Sequence, residues 1–130
     1  MTPASAPGIG IFAAAALVCG SVAVSHAGGG FLGEWARGDG VAQARMTQCG
    51  GKLCMTNTRI QNSVNDEKVG EKVIITVKQR SDTTISGVVF DPQRNRSYNV
   101  EMTLDGDRMT MSGCVAAGLI CKSMQWTRLQ

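Results

Sequence analysis

Histidine is nearly missing from this chain, and the one present, His26, falls in an N-terminal stretch that reads as a leader to be removed. A mature protein without imidazole has no histidine for general acid–base work, for a Ser-His or Cys-His nucleophile pair, or for metal ligation. Aromatics are also scarce, at 5% of the chain, and the five that follow residue 27 make a poor stacking platform for nucleic acid. No sign of charge dominates: 13 Lys+Arg against 10 Asp+Glu leave a net charge of +3. That is short of the basic excess of a nucleic-acid-binding protein, so no such partner is expected. No window carries a convincing 3.6-residue apolar stripe, which argues against a helical fold. Proline is limited to three residues, and no Cys-x-x-Cys motif occurs, so a thioredoxin-like redox pair has no support.

What is present begins with an uncharged small-and-apolar run from Ile9 to Val24, followed by Ser25-His26-Ala27. Small residues at the −3 and −1 positions of a cut before Gly28 are the mark of a secretory signal. The run is shorter than a membrane-spanning helix needs and is broken by Gly20 and Ser21, so no stable membrane insertion is expected after cleavage. One feature departs from the pattern: no Lys or Arg precedes Arg37. Cys19 follows Val18 where a lipoprotein anchor wants Gly or Ala. The expected organisation is therefore a cleaved signal over 1–27 and a single domain over 28–130, periplasmic or secreted. A domain of that size buries enough surface for one modest core.

Export changes the reading of the cysteines. Four remain after the leader, in close pairs: Cys49 with Cys54, and Cys114 with Cys121. An even count in an exported chain points to disulfides. Local pairing is expected because each pair brackets a turn signal, and each small loop would contribute about 2–2.5 kcal/mol on the chain-entropy model. The rival, a four-thiolate zinc site, lacks the usual ligand spacing, so no metal and no cofactor are expected.

The remaining sequence reads as strands. Ser97 to Leu104 alternates polar and apolar residues throughout, the period of a half-buried strand. Arg108 to Ser112 repeats the pattern after the turn sequence Asp105-Gly106-Asp107. Further strands are predicted over Phe31–Arg37, Val41–Gln48, Leu53–Arg59, Lys72–Lys78, Thr84–Phe90 and Lys122–Leu129. Two longer connections, Gln61–Gly70 and Asp91–Arg96, read as surface loops. About eight short antiparallel strands must hide their edges, either in an up-and-down β-barrel or in a two-sheet β-sandwich.

Gly33-Glu34-Trp35 on the first strand and Arg128 on the last favour the barrel. Closure makes those strands neighbours, so Arg128 can lie over the Trp35 indole, a contact worth about 0.5–2 kcal/mol. A Gly-x-Trp on strand one with a basic residue on the last strand resembles the calycin group, the lipocalin-like and avidin-like barrels. A longer ordered set covers most of the chain: Gly33-Glu34-Trp35, Cys49-Gly50-Gly51-Lys52-Leu53-Cys54, Gly87-Val88-Val89-Phe90-Asp91-Pro92 with Tyr98, Gly113-Cys114, and Trp126-Thr127-Arg128. This resembles the bacterial family known as domain of unknown function 2147, whose members are small exported proteins. The resemblance implies export and a single β domain; it brings no activity, substrate or catalytic residue. The middle departs from the family, with Thr56-Asn57-Thr58-Arg59 and a polar loop where members often carry an Asp/Asn-containing segment.

No carboxylate pair has a reason to face another across a cleft. Asp105 and Asp107 read as turn residues, Asp91 as a residue bonding its own turn, and Glu34 as solvent-facing by alternation from Trp35. Cys49-Gly50-Gly51-Lys52 lacks the strand-to-helix setting of a phosphate loop. The methionines, including Met102, Met109 and Met111, are expected inside the barrel, since thioethers without histidine or free thiol make a poor copper(I) site. No catalytic residue is assigned. The expected function is non-enzymatic binding of a small apolar or amphipathic ligand at the barrel mouth, lined by Trp35, Met102, Met109 and Met111, in a monomer. The alternative is an envelope protein–protein interaction or structural module that uses the 61–70 and 91–96 loops.

Overall fold

The computed structural model describes residues 27–61 and 66–130, together with Pro3, Gly8, Gly10, Ala14 and Ala15. Apart from these and Ala27, the expected leader lies outside the described residues. Eight strands follow one another: β1 (Gly33–Arg37), β2 (Ala42–Cys49), β3 (Lys52–Ile60), β4 (Lys72–Gln79), β5 (Thr84–Asp91), β6 (Arg96–Asp105), β7 (Arg108–Val115) and β8 (Ile120–Arg128). Each pairs with its sequence neighbours, and β8 returns to β1, closing an antiparallel barrel rather than a sandwich. No helix among the described residues is long and apolar enough to cross a membrane.

Alternation decides which side chains fill the barrel. On β6, Val100 and Met102 are buried while Asn99 and Glu101, which alternate with them, are exposed. The register sets Met102 beside Met111 and Ile85, and Leu104 beside Met109. On the opposite wall Trp35 pairs with Ala44, whose small side chain leaves room for the indole. Trp35, Met46, Leu53, Ile75, Ile85, Met102 and Met109 are all fully buried. Each such large apolar side chain contributes about 1.5–3 kcal/mol on removal from water.

The two ends differ. The sequence predicts a first strand from Phe31, but Gly29–Phe31 forms one turn of 3₁₀ helix that tucks Phe31 into the core. The Trp35 indole nitrogen donates to the Phe31 carbonyl at 2.9 Å, which holds this turn across the end of the barrel. Gly33 then has φ +123°, a conformation open to glycine, and a Cβ there would meet the Arg128 guanidinium at 3.0 Å. The Gly-x-Trp motif thus lets strand, indole and guanidinium share one corner. At the opposite end lie the connections 38–41, 92–95 and 116–119 and residues 66–71 before β4. There β7 and β8 run on to Val115 and Ile120, further than sequence alternation alone suggests, because Cys114 and Cys121 are direct cross-strand partners.

Both cysteine pairs stand at disulfide distance in the local arrangement, with Cα separations of 5.8 Å for Cys49–Cys54 and 4.1 Å for Cys114–Cys121. The first ties the β2–β3 turn at the closed end. The second clips the β7–β8 hairpin at the open end.

Candidate functional site, the barrel mouth

The open end holds a depression in two lobes that share Arg37, Tyr98, Met111 and Trp126. Inward alternation explains the apolar members: Tyr98 and Val100 on β6, Met111 and Gly113 on β7, Met124 and Trp126 on β8. Closure by β1 is short. It pairs with β8 only from Trp35↔Arg128 to Arg37↔Trp126, whereas β7 accompanies β8 back to Ile120. Among the described residues no strand covers the inner face of the projecting β6–β7–β8 sheet, and an apolar lobe of about 350 Å³ lies against it. That volume is at the small end of the range typical of small-molecule sites, about 300–1,000 Å³.

Gly113 shapes this lobe. A Cβ there would lie 3.0 Å from the Tyr98 ring, so the missing side chain is the space the ring occupies. Burial pushes the Tyr98 phenol above its ordinary value, with the charge of Asp91 adding to the rise. Trp126 is only 6% exposed, and its indole N–H has no hydrogen-bond partner among the described residues. A buried donor left unsatisfied costs about 1–3 kcal/mol.

The second lobe, about 270 Å³, is polar. Arg37, the inward residue that ends β1, donates from both terminal nitrogens to Glu67 at 2.8 Å and from Nε to Asp39 at 2.8 Å. Its guanidinium also stands 5.9 Å from the centroid of the Trp126 ring. The hydrogen bond from Arg37 holds Glu67 below the usual carboxylate range, against an opposing push from burial. For Asp39 burial acts upward, but the bonds from Arg37 and the Val41 amide outweigh it and the net shift is down. Arg94 bridges Glu71 at 3.0 Å and Asp91 at 3.1 Å, and donates to the Asp66 carbonyl at 3.2 Å. Asp91 accepts the Gln93 and Arg94 amides within its own turn. Residues 66–71 and the 91–96 loop are thus tied to each other and to β1 around a single rim.

The sequence-based ligand set divides. Met111 lines the lobes, but Trp35, Met102 and Met109 do not: all three are fully buried toward the closed end. Alternation says that a side chain points inward, and nothing about its depth along the barrel axis. Arg128 lies over Trp35 at that same closed end, 4.3 Å from the ring centroid. Glu34 faces outward, taking a 2.6 Å bond from its cross-strand partner Arg45. Among the described residues no group of three His, Cys, Asp or Glu is placed to hold a metal.

Residues not singled out from sequence supply the rest of the mouth. Arg37 and Lys122 carry a usable signal, since each is a charged residue in phase with the inward positions of its strand. Glu67 and Glu71 carry none, because loop carboxylates in a polar stretch have no period to place them.

The family model described as "Uncharacterized protein conserved in bacteria (DUF2147)" matches residues 33–128. The chain belongs to this family. The match runs from the Gly33 corner of β1 to Arg128 at the end of β8, so it spans the whole closed barrel. Comparison with curated proteins and with solved structures finds no match.

Proposed function

We propose that the protein binds a small amphipathic molecule at the barrel mouth, without catalysis, as a monomer in an oxidising exported compartment. The observation that carries this reading is the two-lobed mouth floored by Trp126, a buried donor that a ligand acceptor would satisfy. A few polar groups converging on an apolar lobe is the usual composition of a small-molecule site. The remaining barrel interior is filled by the core. Arg37 lowers the Glu67 pKa, which disfavours a general-acid role for this carboxylate, since a general acid needs a raised one. Export is supported by the two cysteine pairs at disulfide distance.

The test is binding of the neutral apolar dye N-phenyl-1-naphthylamine, read by dye emission and by quenching of tryptophan. One dye per chain is expected. Met111→Arg, which places a charge in the lobe, and Ile120→Glu, an exposed rim change that spares the core, should each weaken binding about tenfold or more. No binding by the wild type, or binding by both variants as tight as the wild type's, would overturn the site.

One observation favours a second reading, contact with an envelope protein. The clipped β7–β8 hairpin presents Leu119 85% exposed and Ile120 63% exposed. Under that reading Leu119→Ser should abolish partner capture and leave dye binding intact.

A further inference from the structure

We propose that the molecule held in the mouth is a single-chain amphiphile with an anionic head, taken as a free monomer, with its head at Lys122 and its chain along the inner faces of β6, β7 and β8. This rests on the binding reading above and adds the charge and class of the ligand.

The apolar lobe is walled by two cations, Arg37 and Lys122, and by no carboxylate. Arg37 is already committed to Glu67 and Asp39. Lys122 makes no ion pair among the described residues, although it faces the inner side of β8 opposite Gly113 and between Ile120 and Met124. A cation in phase with an apolar face, exposed at its outer end, is placed to receive one negative charge at the rim while the chain lies deeper.

The neighbouring lobe is balanced in charge: Glu67, Glu71 and Asp91 line it together with Arg37, Lys72 and Arg94, and Arg37 and Arg94 are bonded to those carboxylates. The lobe walled by Lys122 is the one with cations and no acid, and its apolar lining is where a chain can lie. Beyond Lys122 the apolar surface continues over Val115 and Ile120, which line the lobe and are themselves 49% and 63% exposed. A chain entering from solvent thus meets apolar contact before it reaches Met111 and Trp126. The same lysine also guards the part of β8 that projects past β1, since inward-pointing charges discourage edge-to-edge pairing. That role alone predicts no preference among ligands.

The experiment compares dodecanoate, dodecanol and dodecyltrimethylammonium, each below its micelle concentration, by calorimetry and tryptophan emission on the full chain. Dodecanoate should bind about fivefold tighter than dodecanol, and the cation weakest. Lys122→Gln should erase the preference for dodecanoate over dodecanol, and Lys122→Arg should restore it. Equal binding of acid and alcohol, or a preference that survives Lys122→Gln, overturns the anionic head and leaves the binding site standing. If no monomer binds, the site itself fails and this inference with it. Cosedimentation with phosphatidylglycerol vesicles in the absence of monomer uptake would replace the monomer site with surface docking and overturn the proposal.

Discussion

Arg128 lies over the indole of Trp35, 4.3 Å from the ring centroid, while its terminal nitrogens donate to the carbonyls of Leu32 and Gly30 at 2.8 Å each. Trp35 in turn donates to Phe31. Strand closure and end plug therefore share one side chain. A fork with two donors is needed, because one cation must reach two carbonyls while its plane stays on the ring. Arg128→Gln should cost about 2–3 kcal/mol and Arg128→Lys about 1–2 kcal/mol, with the loss concentrated where β1 meets β8. Urea midpoints measure the totals. Hydrogen exchange should show early opening of the Trp35–Arg37 amides, and unchanged protection there would show that the plug is held by other contacts.

The barrel was legible in the sequence because its signals are local. Alternation from Ser97 to Leu104 and the turn at Gly106 specify β6 almost residue by residue and the first five residues of β7. Closure was legible from Gly33, Trp35 and Arg128. The mouth was not, for two physical reasons. Depth along the axis depends on how far each strand is staggered, so Met102 and Met111, neighbours in register, share a face while only Met111 reaches the cavity. The rim depends on contacts across long sequence separation, such as Arg37 with Glu67 and Arg94 with Glu71, which leave no trace in any single window.

Two glycines that flank Val100 from either side, Gly87 on β5 and Gly113 on β7, separate fold from site. At Gly87 an added Cβ would run into the Thr76 carbonyl oxygen of β4, a backbone atom that cannot step aside. Gly87→Ala should therefore destabilise by about 2–3 kcal/mol or prevent folding. At Gly113 the added Cβ would crowd the Tyr98 ring, which can swing into the lobe, while the Asn99 carbonyl at 3.9 Å is in ordinary contact. Gly113→Ala should cost about 1 kcal/mol or less and weaken dye and dodecanoate binding about fivefold or more. Tyr98 is the chain's one tyrosine, so its phenolate absorbance reports the ring directly. The wild-type phenol should titrate above its ordinary value of 10.0, because burial disfavours the charged form. A more exposed ring in Gly113→Ala should titrate lower. Unchanged binding in that variant would dissociate Tyr98 from the site.

Acid should loosen the rim before it unfolds the barrel. Arg37 holds the Glu67 carboxyl below its ordinary 4.5 in the folded protein, chiefly through the hydrogen bond between them. The unfolded chain then takes up a proton at higher pH than the folded one does. Stability from this pair is complete above the ordinary carboxylate value and is lost as pH falls through the lowered one. Glu67→Gln removes that dependence. At pH 7 it should cost about 1 kcal/mol relative to wild type, the scale of a well-formed bidentate pair near the surface. The difference should shrink between about pH 5 and pH 3 as the wild-type carboxyl is neutralised. Urea midpoints for both proteins across that range measure the gap. A gap that stays constant to pH 3 would mean that Glu67 supports the loop by packing, and that the ion pair with Arg37 adds nothing to the mouth.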